Sequence, residues 1–201
     1  MSARPQRGLT LVELLVTLAI VAMLVMAAVP SFTGAIVNSR IRATGEAILT
    51  GIQLAKSEAV ARNARVRFQL TSTLDGSCAL STTGANWVIN LDPNADATEV
   101  EGRCNAAPSD AAAPFILQTR PAASGSGSTQ VAATQSSLVF SGLGRLAEVP
   151  AGNVVINLTN PAGGTCADIG GDVSCLRIVV SPAGQARMCN PARDPGDPQA
   201  C

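Results

Sequence analysis

The side chains that could do chemistry in this chain are few, and their placing says more than their number. Glu13 is a carboxylate inside a run that is apolar from Leu9 to Val29 and otherwise broken only by Thr10 and Thr17. Six cysteines, Cys78, Cys104, Cys166, Cys175, Cys189 and Cys201, all lie well beyond that run. There is no histidine, and Lys56 is the single lysine. The usual general base and the commonest nitrogen ligand for metals are therefore both missing. A serine nucleophile without histidine needs a lysine base, and Lys56 falls in a helical pattern. No catalytic residue, metal or cofactor is expected.

None of the cysteines forms a C-x-x-C pair, and without histidine the spacing does not suit zinc. An even count behind an export-type N-terminus reads as disulfides formed in an oxidising compartment. Sequence alone leaves the connectivity open. Nearest-neighbour pairing is preferred, Cys78 to Cys104, Cys166 to Cys175 and Cys189 to Cys201. Each such bond would close a short loop in a segment rich in Gly, Ala and Asp that buries little surface. The 201 residues suit one globular domain of moderate size plus an appendage. With 14 basic and 14 acidic side chains, the chain does not coat nucleic acid by bulk charge.

The elements that must position these residues begin with the apolar run. Its 21 residues, at about 1.5 Å each, span the roughly 30 Å hydrocarbon core of a bilayer. Arg4 and Arg7 precede it and place the N-terminus on the cytoplasmic side. Everything after Val29 then lies outside the inner membrane, in agreement with the cysteines. The competing reading is a secretory signal peptide cut near Ala27 and Ala28. Glu13 argues against it. A carboxylate costs about 2.5 to 3.5 kcal/mol at a bilayer centre and less near the interface, and such a group signals a partner. Signal peptides need none.

Residues 7 to 15, Arg-Gly-Leu-Thr-Leu-Val-Glu-Leu-Leu, resemble the prepilin peptidase site of type IV pilins and type II secretion pseudopilins. The resemblance implies cleavage after Gly8, release of residues 1 to 8 as a leader, and N-methylation of Leu9, where relatives usually carry Phe. It implies that Glu13 pairs with the terminal amine of a neighbouring subunit, and that Pro30 matches a proline of the family. Prepilin peptidase, other pilins or pseudopilins and the inner membrane are the implied partners. The implied location is a single pass through the bacterial inner membrane, the C-terminal domain periplasmic, with later incorporation into a pilus or pseudopilus.

After the run, Pro30 and Gly34 predict a kink or local unwinding. Val37, Ile41, Ile48, Ile52, Ala55 and Ala59 then recur at helical spacing, one apolar face. The reading is one helix within 9 to 64, its transmembrane part 9 to 29. From Arg65 the period becomes two: Val66, Phe68 and Leu70 alternate with Arg65, Arg67 and Gln69, which predicts an exposed-basic, buried-apolar strand. Further strands are expected at 87 to 91, 115 to 119, 137 to 140, 154 to 159 and 176 to 180. Turn-forming clusters separate them, and Ala122 to Thr129 reads as a flexible Gly/Ser loop. Residues 65 to 201 thus form a β-rich domain, and the fold class is α+β. Trp87, in an apolar strand, is expected in the core, and Gly142-Leu-Gly-Arg145 as a hairpin turn.

The later half resembles the GspH/FimT family through four segments. They are the helix end Gln53 to Arg62, the strand Arg65 to Leu70, the segment Phe140-Ser-Gly-Leu-Gly-Arg145, and the stretch Leu176 to Arg187. The resemblance implies two packed antiparallel sheets against the helix and a minor subunit active in initiation or tip assembly. FimT-type relatives are linked with DNA uptake through a C-terminal Gly-Arg-x-Arg motif. Here the matching residues are Gly184-Gln185-Ala186-Arg187, so one arginine is replaced by an amide. Arg177, Arg187 and Arg193 are the candidate DNA contacts of a competence pilin. Asp194 and Asp197 in the same stretch oppose a polyanion.

Overall fold

The computed structural model describes residues 10–122, 126–148 and 150–201, without the side chains of 27–31 and 126. Gly8 and Leu9, the expected cleavage and methylation positions, lie outside the described residues. One helix, α1, runs Leu11–Arg62 over 52 residues. The chain divides into two compact units, Met1–Ile36 and Val37–Cys201.

In the first unit α1 is an apolar rod. Leu11, Val12, Leu14, Leu15, Met23 and Met26 are each more than half exposed. Among the described residues, no helix is long and apolar enough to cross a membrane. The expected unwinding after Val29 does not occur, since α1 is helical through Pro30 and Gly34. Proline's fixed φ is itself helical, and it removes only one hydrogen bond of the ladder. The side chain of Pro30 lies outside the described residues.

In the second unit α1 ends in a left-handed cap. Asn63 has φ 47°, its N–H bonds the Val60 carbonyl, and the Ala64 N–H bonds that of Ala59. That pair of bonds is the Schellman arrangement, for which asparagine is one of the few tolerant residues. Among the described residues eight strands follow: β1 Val66–Thr71, β2 Asn86–Leu91, β3 Ile116–Arg120, β4 Gln130–Ala133, β5 Ser137–Phe140, β6 Val154–Thr159, β7 Leu176–Val180 and β8 Ala186–Cys189. They form two four-stranded antiparallel sheets, ordered β3-β2-β1-β5 and β4-β6-β7-β8.

One apolar core joins α1 to both sheets. The helix contributes Ile41, Ile48, Ile52, Ala55 and Ala59, the first sheet Phe68, Leu70, Trp87 and Phe140, the second Ile156, Leu158 and Ile178. Two glycines let the sheets approach the helix. A Cβ on Gly51 would stand 2.8 Å from the Phe68 and Trp87 rings, and one on Gly45 2.7 Å from Met188 Sδ. Trp87 therefore lies close enough to donate its indole N–H to the Ala47 carbonyl, at 3.2 Å. The expected core tryptophan is in place, with its one polar atom satisfied.

Strand β1 departs from expectation. All six of its residues are buried, Arg67 and Gln69 included, so it is not exposed on its basic face. The connection between β2 and β3 folds back over that face and makes a second small core of Cys78, Val88, Val100, Cys104 and Ile116. Arg67 there pairs with Asp92 at 2.6 Å, and the Gln69 amide donates to the Ala97 carbonyl at 2.6 Å.

Candidate functional site

The N-terminal site is built by the first turn of α1. Thr10 stands just before the helix, and its hydroxyl accepts the Glu13 N–H at 3.3 Å. The Thr10 carbonyl accepts the Leu14 N–H at 3.1 Å. Thr10-Leu-Val-Glu13 thus has the spacing of a capping box, a local role for these residues that the motif-based reading passed over. Among the described residues the Glu13 carboxylate has no ion pair. Its place in the first turn is favoured by the helix dipole. Around it, Leu11, Val12, Leu14 and Leu15 are between 53% and 74% exposed, so the carboxylate stands among uncovered apolar side chains.

The three candidate arginines do not converge. Arg177 and Arg187 line one cleft on the outer face of the second sheet, with Asn153, Val155 and Val179. Arg193 lines another, beside Asn38 and Arg42 of α1. Each of the first two is engaged within the chain. Arg177 Nε donates to Asn157 Oδ1 at 2.8 Å. Arg187 donates from both terminal nitrogens to the backbone oxygens of Ala200 and Cys201, at 3.0 Å each. Arg193 reaches Asp197 only at 3.9 Å.

The cysteines pair as nearest neighbours, Cys78–Cys104, Cys166–Cys175 and Cys189–Cys201. Each bond, closing a loop of 9 to 26 residues, removes chain entropy from the unfolded state, about 3 kcal/mol apiece on the loop-entropy scale. The last one holds the tail whose oxygens Arg187 binds.

Phe140 to Arg145 forms the expected turn, closed by the Ser141 N–H to the Arg145 carbonyl. Gly142 packs on Asn63 so tightly that a Cβ there would come within 2.4 Å of its side chain. The turn at Gly184 packs on the Gly144 carbonyl, and Lys56 Nζ donates to the Gly184 carbonyl at 2.9 Å. The only lysine therefore joins α1 to this junction of turns. Two of the segments that carry the family resemblance thus meet at the end of α1 to build structure.

Two further stretches carry structure that patterning missed. β4 holds one branched apolar residue, and β8 follows a turn and reads as a polar tail, yet Ile178 and Met188 pair across it. No histidine-free reading of motif spacing signals either; the tight turn at Pro182 to Gly184 is the one available cue.

Comparison with known families fits this architecture. A long N-terminal helix followed by two antiparallel sheets is the arrangement of the pilin fold. Residues 44–184 match the family described as Type II transport protein GspH, most of the chain's length, and the chain belongs to that family. Residues 3–29 match the prokaryotic N-terminal methylation motif. Two crystal forms of the type IV minor pilin FimU from Pseudomonas aeruginosa are similar in fold, at 14% identity. They cover 79% and 77% of this chain, which covers 94% and 97% of theirs, with TM-scores of 0.49 and 0.47. No curated protein matches the chain.

Proposed function

We propose that this chain is a minor pilin or pseudopilin that helps start or cap a type IV pilus or a type II secretion pseudopilus. Prepilin peptidase removes residues 1 to 8 after Gly8 and methylates Leu9. Residues 9 to 29 hold the subunit in the inner membrane, with the globular unit in the periplasm. During assembly the rod leaves lipid for a bundle of like helices.

The observation that carries this reading is the Glu13 carboxylate, without an ion pair among the described residues, set among exposed leucines and valines. Uncovered apolar surface of this extent calls for lipid or other helices. In a bundle of low dielectric, a carboxylate and the methylated amine of Leu9 on an adjacent subunit attract strongly, and either alone is costly. The pair therefore fixes axial register.

Glu13→Ala is expected to leave the protein in the membrane fraction but absent from sheared filaments. Incorporation at the normal level would end the pairing role. DNA capture has less support, since Arg177 and Arg187 bind their own chain and Arg193 stands in a different cleft.

A further inference from the structure

We propose that the two ends of the Val37–Cys201 unit dock on each other between copies of this chain, the Leu143 turn of one copy meeting the Ile169 loop of the next. The inference rests on the filament reading above and names one contact within it. Among the described residues of this unit, the large apolar side chains left exposed are Val60, Leu143 and Ile169, at 52%, 81% and 73%. They stand at two places. Gly144 packs on Lys56 and Val60 and Gly142 on Asn63, which sets Leu143 beside the end of α1. Ile169 belongs to the loop between β6 and β7, whose Gly163 packs on Val37 and whose Ser174 N–H is accepted by Asn38 Oδ1 at 3.0 Å. From Val37 to Val60, at about 1.5 Å per residue, the two places lie about 35 Å apart along one helix.

A single exposed apolar residue needs no explanation. Here both sit on preformed turns and carry opposite charge. The Leu143 turn is closed by the Ser141 N–H to the Arg145 carbonyl and the Gly144 N–H to the Ser141 carbonyl, each 2.8 Å. Ile169 ends a short 3-10 turn, Ala167–Ile169, inside the loop closed by Cys166–Cys175. Arg145 follows Leu143 by two residues, and Asp168 and Asp172 flank Ile169. All three charges are exposed, and none has an ion pair among the described residues. The arginines nearest the Leu143 turn in the chain are matched internally, Arg62 by Glu58 and Asp110, Arg65 by Asp92 and Glu148. One end thus offers apolar surface with a spare cation, the other apolar surface with two spare anions.

The occupant follows from that complementarity. Each end presents the charge that the other lacks, so a second copy satisfies both. An end-to-end contact of unlike patches that does not close into a ring builds an open row, the symmetry of a filament. Its area is small, so it forms where the rods already hold the copies in line. A lipid surface suits the Ile169 loop poorly, because membrane surfaces are anionic and two carboxylates flank the isoleucine.

The test uses the full-length protein in cells that assemble filaments, with a benzophenone amino acid in place of Leu143. Irradiation is expected to join residue 143 to the peptide from Ala167 to Ser174, identified by mass spectrometry in a product of twice the chain's mass. Within one copy the two places are too far apart for that link. Arg145→Glu should lower the yield about tenfold, equivalent to about 1.4 kcal/mol, and Asp168→Arg with Asp172→Arg in the same chain should restore it. Ile169→Ser should also lower the yield with every charge kept. Complete resistance to thiol alkylation confirms folding in each variant. Capture of lipid or of a different subunit alone, a yield indifferent to charge reversal, or no link in filaments that contain the chain would each overturn the proposal while leaving the filament reading intact. A chain absent from filaments, with Leu9 unmethylated, would overturn both.

Discussion

The two sheets share α1 and differ in what covers their backs. β1 and β7 both place an arginine between apolar residues, Val66-Arg-Phe68 and Leu176-Arg-Ile178. Arg67 is 1% exposed, and its carboxylate partner Asp92 is buried with it. Arg177 is half-buried, beside an asparagine on an open face. The strands do not decide this; their connections do. The segment from Asp92 to Phe115, pinned at Cys104 to Cys78, returns across the first sheet. The connection from β7 to β8 is a tight turn, too short to return across its sheet. Alternation in a strand therefore says which residues share a face, and the length of the adjoining loop says whether that face meets water.

The largest expected effect tests the covered side. Asp92→Ala leaves Arg67 as a buried cation without its carboxylate and should destabilise the fold by about 3 to 5 kcal/mol. Arg177→Ala on the open side should stay within about 0.5 kcal/mol. Chemical denaturation of the two variants measures both, and equal effects would erase the distinction between the sheets.

A smaller difference is expected where each sheet meets α1. Gly51→Ala pushes a methyl into two buried rings and should cost about 1 to 3 kcal/mol. Gly45→Ala meets the ends of Met188 and Leu158, flexible groups that can swing aside, so its melting temperature should fall less. The reverse order would place the tighter contact on the second sheet.

The smallest effect concerns the tail. Arg187→Ala should change global stability by less than about 0.5 kcal/mol, yet proteases should cut residues 190 to 201 faster, because two backbone anchors are gone. Neither form should retard DNA at about 50 mM salt, where even a few phosphate contacts would register. Retardation lost with Arg187 would revive the DNA reading.

Much of this was legible in the sequence. The apolar stripe of α1 is buried as its spacing required, because a period of 3.6 has only one way to meet a core. β5, β6 and β7 have the bounds expected from the sequence, 137 to 140, 154 to 159 and 176 to 180. β4 and β8 were not legible, since short strands of alanine, glutamine and arginine are held by neighbours and turns more than by their own composition. The burial of Arg67 was hidden for a similar reason: its partner lies 25 residues away, in a segment whose prolines and asparagines read as loop. At the N-terminal site, Glu13 announced itself because a charge in an apolar run is costly. The capping role of Thr10 was equally readable but eclipsed by the larger motif.

The most direct measurement is the intact mass of the mature protein from membranes, with sequencing of its first peptide. The account predicts a chain that begins at N-methylated Leu9 and keeps Glu13 and the whole apolar rod. A chain that begins near Val29, free of the membrane, would contradict it.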